Sequence, residues 1–300
     1  MPQPHVITTL AEAQLLDKTA LPVRREPSRI LMCPPDYFEI KDVKNAFMQG
    51  NIGTLDKALA VAQWDVLKTT FEQLGKPVIT IEPAPDLEDM VFSANQVLPG
   101  LDEDGTPYVV ISRMRYPSRQ REIPFYREWF ADHGYRILEL EQPGVCFEGQ
   151  GDAIWHPGRK LLWGGHGQRT DFAVYPELSE RLGIPILALE LSTPEFYHLD
   201  TCFCALDEQS VLIYPQAFTS EGLALIHRFF PLVIEAPSAE AHKTFACNAF
   251  AFDGRNVVIQ WGATETVAEL RRVGFHVTEV DTSEFIKSGG SVFCMKMEVY

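Results

Sequence analysis

Three hundred residues, 46% of them apolar and 22% charged, are enough for one or two globular domains with a sizeable core. The formal net charge of −15 argues against nucleic acid or an anionic membrane as partner and favours a cationic small molecule. There is no run of about 18 apolar residues, the opening Met1-Pro2-Gln3-Pro4-His5 has no leader character, and six scattered cysteines make no disulfide framework, so a cytoplasmic protein is expected.

Residues 1–27 read as a polar N-terminal extension with a short helix at 10–18, and residues 28–300 as a single domain. A strand at 30–33 closes on Pro34-Pro35. A helix over 54–74, capped at or before Thr54, ends at Gly75, and a strand follows at 78–81. Strands at 91–98 and 108–112 flank the turn-rich Asp102-Glu103-Asp104-Gly105. A helix over 118–133 ends at Gly134. Strands follow at 137–140, 153–156 and 161–164, then a helix at 172–182 ended by Gly183. Strands at 186–191, 201–206 and 210–214 precede a helix at 220–230. Strands at 233–235, 249–252 and 257–260, a helix at 264–273 and strands at 276–280 and 291–299 complete the chain. Five main helices thus recur every roughly 45 to 65 residues with a strand–helix–strand rhythm, which predicts one array of repeated units.

Five stretches carry chemistry. In 196–203, read as extended, His198 and Asp200 share one face with Leu199 opposite, an arrangement able to bind a cation and move a proton. Phe147-Glu148-Gly149-Gln150-Gly151-Asp152 is a glycine-bracketed acid turn that can aim a carboxylate into a cleft. Asp89, Phe92 and Asn95 lie at regular spacing along one segment. Gly164-Gly165-His166-Gly167-Gln168-Arg169-Thr170 resembles an anion-holding turn, and Arg113 ends a strand; arginine forks suit a carboxylate. Ser288-Gly289-Gly290 delivers Cys294 early in the last strand. Each stretch alone has a structural explanation: a satisfied pair, solvated acids, a core phenylalanine, surface arginines, an inert buried cysteine. Cys202-Phe203-Cys204 raises a metal site, but no second pair with zinc-like spacing follows, and no metal is expected.

Taken in order, Asp-x-x-Phe-x-x-Asn, Ser-Arg, Phe-Glu-Gly-x-Gly-Asp, Arg-Thr, Tyr-His-Leu-Asp-Thr and Ser-Gly-Gly-x-x-x-Cys resemble the guanidino-group-modifying (pentein) superfamily over residues 29–300. That superfamily includes arginine deiminases, dimethylarginine dimethylaminohydrolases, amidinotransferases and arginine dihydrolases. The resemblance implies a five-bladed α/β propeller with pseudo-fivefold ββαβ repeats around a central channel. It also implies Cys294 as nucleophile, His198 as general acid and base, and Glu148 and Asp200 as carboxylates that orient the histidine and grip a guanidinium. Asp89 and Phe92 match substrate-pocket positions, and Arg113 and Arg169 match positions that hold the substrate carboxylate or shape the pocket. Asn95, Met32-Cys33-Pro34-Pro35 and Asn45-Ala46-Phe47-Met48 look most like the dihydrolase branch, which reads Asn-Pro-Trp-Met at the last of these and so shares Asn45. The expectation is a hydrolase that converts arginine to ornithine, carbon dioxide and two ammonia without a cofactor. Citrulline-forming hydrolysis, amidino transfer and a non-enzymatic binding protein on the same fold are the alternatives, with homo-oligomerisation left open.

Overall fold

The computed structural model describes residues 5–300. Among these residues the chain forms five small mixed sheets, four of three strands and one of four. Each repeats one plan. A leading strand pairs antiparallel with a middle strand, a helix follows, and the chain returns parallel to the middle strand. The leading strands are Val97–Leu101, Ala153–Trp155, Phe203–Ala205, Phe250–Ala251 and Met297–Val299. The five helices are Lys57–Gln73, Ile123–Asp132, Val174–Leu182, Ser220–Phe229 and Thr264–Arg272. This is the helix rhythm expected from the sequence, and each crossover of this kind needs a helix to carry the chain back to a parallel neighbour.

The last leading strand completes the first sheet: Met297 lies opposite Leu31 and Val299 opposite Arg29 in antiparallel register. The two ends of the chain are therefore joined through one sheet. Neighbouring leading strands also pack on one another, Met297–Val299 against Val97–Leu101 and Phe203–Ala205 against Phe250–Ala251. Large side chains between helices and sheets, among them Trp163, Tyr175, Tyr126 and Phe71, are wholly buried. In the N-terminal stretch, Val6–Ile7 adds a parallel fourth strand beside Ile186–Glu190, and Lys18 Nζ donates to the carbonyls of Glu208 and Phe229 at 2.7 and 2.6 Å.

Several boundaries differ from the sequence reading, each for a local reason. The helix expected at 10–18 is Leu10–Ala13, with Thr9 and Glu12 forming a reciprocal cap, followed by a separate turn Lys18–Ala20 capped by Asp17. The helix expected from 54 starts at Lys57 because Asp56 caps it, taking the Leu59 N–H at 3.0 Å. That expected over 118–133 splits into Pro117–Gln120 and Ile123–Asp132, since Pro124 lacks the N–H that would continue it. The strand expected at 91–98 begins only at Val97; Glu88–Val91 is a 3₁₀ turn, and Arg119 draws in the carbonyls of Asp89 and Phe92. The short helices Ser238–Lys243 and Ser283–Ile286 were not foreseen.

Met297 is wholly buried at the junction of the chain's two ends. Met297→Ala should cost about 2–5 kcal/mol, seen as a lower denaturant midpoint with an unchanged slope.

Candidate active site

The turns that precede the five leading strands supply the chemistry. Asn95 stands just ahead of Val97, Glu148 and Asp152 ahead of Ala153, His198 and Asp200 ahead of Phe203, Asn248 ahead of Phe250, and Cys294 ahead of Met297. One repeated plan thus presents one or two polar groups per sheet at the same strand end.

The segment around His198 is not extended. His198 caps a 3₁₀ turn, Leu199–Thr201, because the Thr201 hydroxyl bonds back to the His198 carbonyl at 2.6 Å and Asp152 Oδ1 takes the Leu199 N–H at 3.0 Å. The alternation argument for His198 and Asp200 therefore fails, and the two reach the site from a turn. Cys294 likewise lies in a turn over 292–295, since Asn248 Oδ1 captures the N–H groups of Ser291 and Cys294 at 3.1 and 3.3 Å.

Glu148 has no exposed surface. One carboxylate oxygen is 2.7 Å from His198 Nε2 and 3.0 Å from Arg169 Nη1, and the other takes the Arg115 N–H at 2.9 Å. Burial pushes its carboxyl up, but Arg169 and His198 outweigh that and hold it well below the usual carboxylate range. Asp200 is the converse case. Burial raises it to about 7, against the hydrogen bond from Cys294 Sγ at 3.2 Å and the charge of Lys296. Asp152, 3.9 Å from His198 Nε2, is raised by burial to about 6. The Cys294 thiol is pushed well up by burial and by Asp200, while Asn248 Nδ2, 3.1 Å from the sulfur, opposes the rise.

Asn95, Asp89, Phe92, Asn45, Arg169, His198 and Cys294 line one narrow cavity. Its free space is about 20 Å³, room for little more than one water, so a larger ligand enters only if the wall moves. Asn95 Oδ1 accepts from Arg119 Nη1 at 2.9 Å, which leaves its Nδ2 a buried donor without a partner. Asp89 pairs with the buried Lys44 at 3.0 Å. Arg169 is stacked between the rings of Tyr116 and Tyr197, each 4.7 Å away. Glycine is required at two points. A Cβ on Gly151 would sit 2.2 Å from Asn95 Nδ2, and one on Gly290 2.3 Å from the Phe92 ring.

Two nominated residues are used otherwise than expected. Arg113 donates its guanidinium to the carbonyls of Leu140, Gln142 and Val145. Its backbone pairs with Phe147, so it positions the acid turn and is not part of the cavity wall. Asn45 lines the cavity, but its oxygen caps the turn Ala46–Met48 and its nitrogen donates to Ser288 O at 3.0 Å. Lys44, Arg119 and Asn248 were missed. Nothing local in the sequence marks them; Asn248 depends on Phe245, held at φ +48° and packed on Phe47 at 4.4 Å, a contact between distant segments. Cys202 and Cys204 are buried thiols, and no group of three or more metal-ligating side chains occurs among the described residues.

Solved structures share this architecture. The substrate-bound N-terminal domain of ArgZ, an arginine dihydrolase from cyanobacteria, superposes with a TM-score of 0.85 and 34% identity over 90% of this chain and 97% of that one. A dimethylarginine dimethylaminohydrolase carrying an S-methyl-L-thiocitrulline adduct, 21% identical, has a TM-score of 0.75 and shares the fold. Among curated relatives, the dimethylarginine dimethylaminohydrolase of Mycobacterium tuberculosis is 37% identical over 93% of this chain and 89% of its own length. The bifunctional arginine dihydrolase/ornithine cyclodeaminase ArgZ of Synechocystis is 36% identical over 90% of this chain, which spans only 37% of that longer protein. Fold, site and relatives together define a hydrolase acting on guanidino C–N bonds. The chain belongs to the family described as N,N dimethylarginine dimethylhydrolase, eukaryotic, whose model matches residues 34–300.

Asn248→Ala removes the one amide that donates to the Cys294 sulfur and anchors the Asp200 carbonyl at 2.9 Å. A hydrogen bond to a charged group contributes about 1.5–3 kcal/mol. The thiol should then ionise at higher pH, and its alkylation near neutral pH should slow by roughly 10-fold or more.

Proposed function

We propose that this protein hydrolyses the guanidino group of L-arginine in two rounds, to ornithine, carbon dioxide and two ammonia. Five sheets are read as blades around a channel whose core is this site, with residues 28–300 as the catalytic unit and 1–27 as an N-terminal extension. Cys294 is the nucleophile, His198 the general acid and base, and Glu148 the carboxylate that orients the imidazole. Asp200 and Asp89 face the cationic guanidinium, Phe92 walls it, and Arg169 with Lys44 supplies positive charge for the substrate carboxylate.

The steps follow from the geometry. In the unliganded site the thiol is neutral, since burial and Asp200 both oppose a thiolate. A guanidinium beside Asp200 reverses that balance, so the substrate activates its own nucleophile. The thiolate attacks the central carbon, and His198 protonates the departing amine. Water, deprotonated by His198, then displaces the sulfur and leaves a ureido compound. Hydrolysis that stops there yields citrulline.

Asn95 carries the argument for a second round. Arg119 can only donate, so the atom facing it is the amide oxygen, and the nitrogen is left as an unpaired donor in the wall. A guanidinium has no acceptor to offer this donor, whereas the ureido oxygen does. The wall is thus matched to the intermediate that must be retained and attacked again, although one expected part of that match, acceptance by the Asn95 oxygen, is taken up by Arg119. Dimethylarginine hydrolysis is the second reading, favoured by the family match over residues 34–300. The six free cysteines suit a reducing, cytoplasmic setting.

With L-arginine, two ammonia and one ornithine per turnover are expected. Accumulating citrulline would refute the second round, and dimethylamine released from dimethylarginine would favour the second reading. Cys294→Ser should lower turnover by roughly 10⁴-fold or more without loss of fold; retained activity would exclude a covalent route through this sulfur. Asp200, raised to about 7, must be ionised to hold the cation, so kcat/KM should fall as pH drops through 7 as the carboxyl takes up a proton.

A further inference from the structure

Lys296 is wholly buried, and its Nζ has no hydrogen-bond partner among the described residues. It lies over the ring faces of Phe293 and Phe250, 3.4 and 4.3 Å from their centroids, and 3.8 Å from Glu298 Oε2. Two rings and one distant carboxylate are weak compensation for an ammonium removed from water. The titratable groups that act on it are Glu298 in the strand that follows, Asp200 from the turn before the strand Phe203–Ala205, Cys204 in that strand, and Cys294 from the preceding turn.

The other cations of the site are already committed. Arg169 is bonded to Glu148, Arg119 to Glu122, and Lys44 is paired with Glu88 and Asp89. Asp200 and Cys294 bond to one another, and Asp200 Oδ1 is left without a partner. Lys296 is thus the buried cation close to this pair that no carboxylate has claimed by a hydrogen bond.

We propose that Lys296 is a positioning residue for the nucleophile: its buried, uncommitted ammonium, two residues along the chain from Cys294 and over the ring of the adjoining Phe293, is the counter-charge that holds the thiol toward thiolate. The proposal rests on Cys294 being the nucleophile. Glu298 links this ammonium to the outside, since with Phe250 and Phe293 it lines a separate cavity of about 300 Å³. That cavity also touches Trp155, Leu206 and Phe252, at the far ends of the leading strands, so proton exchange with Lys296 need not pass through the substrate site.

Burial lowers the Lys296 ammonium to about 8, against the opposing pull of Glu298, Asp200, Cys204 and Cys294. The sign follows directly. The counter-charge is present below pH 8 and is lost as pH rises through it. With Asp200 needing to be ionised above about 7, kcat/KM is confined to a narrow bell.

The test is the pH dependence of Cys294 alkylation by iodoacetamide, read by mass on the Cys294 peptide and therefore independent of turnover. In Lys296→Met, which keeps length and removes charge, the midpoint should rise by about one pH unit, roughly a 10-fold slower reaction at pH 7. Glu298→Gln weakens the hold on the Lys296 proton, so the alkaline limb of kcat/KM should move to lower pH. An unchanged alkylation midpoint in Lys296→Met overturns the proposal. If Lys296→Met does not fold, Glu298→Gln decides: an unmoved alkaline limb overturns it, and a downward shift upholds it. Retained activity in Cys294→Ser would defeat the proposed function and the nucleophile role this proposal rests on, whereas an unmoved alkylation midpoint in Lys296→Met, measured without turnover, defeats the Lys296 proposal and leaves the proposed function standing.

Discussion

An ionised carboxylate with no access to water, Glu148, is the constraint around which this site is built. An uncompensated charge in such a place would protonate or unfold its surroundings, so every lone pair must be met. Arg169, His198 and the Arg115 backbone meet them. Each partner is in turn fixed by something else: Arg169 by two tyrosine rings, His198 by the turn that Asp152 and Thr201 stabilise. The orientation of the histidine is therefore set by the energetics of a buried anion and not by the histidine's own packing.

The second acid of the site sits in the opposite environment. Glu148 is flanked by cations and stays charged; Asp200 has a thiol and a distant ammonium and is pushed toward neutrality. Two carboxylates behind one cavity, the first bonded to His198 and the second to Cys294, thus differ in charge near neutral pH through surroundings alone. The first is held on the histidine at 2.7 Å, while the second keeps one oxygen, Oδ1, without a partner. The same logic separates the arginines. Arg119 and Arg169 are locked by carboxylates at 3.0 Å and act as architecture as much as ligands.

Much of this was readable in advance. The helix spacing reported a five-unit repeat, because each unit needs a helix of similar length to cross back to its sheet. The glycine-bracketed acid turn and the Ser288-Gly289-Gly290 turn were legible as turns that deliver a carboxylate and a cysteine; the close approach that leaves no room for a Cβ on Gly151 or Gly290 was not. The period-two argument at His198 was misleading: aromatic and branched residues there do pack as core, but a threonine hydroxyl and a distant aspartate bend the backbone into a turn. Arg113 failed for a related reason, since nothing beside it in the chain reveals that three carbonyls of a later turn await its guanidinium.

The amino-acid sequence by itself determined the kinds of group available, their order, and the repeat that brings one of them to the same strand end in every sheet. Hydrophobic periodicity, caps and glycines are local properties, and local physics suffices to read them. Only the tertiary structure decided which groups hold charge, which amide atom of Asn95 faces the cavity, and that Asn248 stands beside the thiol. Those outcomes depend on burial and on partners far along the chain, 24 positions between Asn95 and Arg119 and 46 between Asn248 and Cys294, and a carboxylate's protonation is a property of its surroundings before it is a property of its residue type.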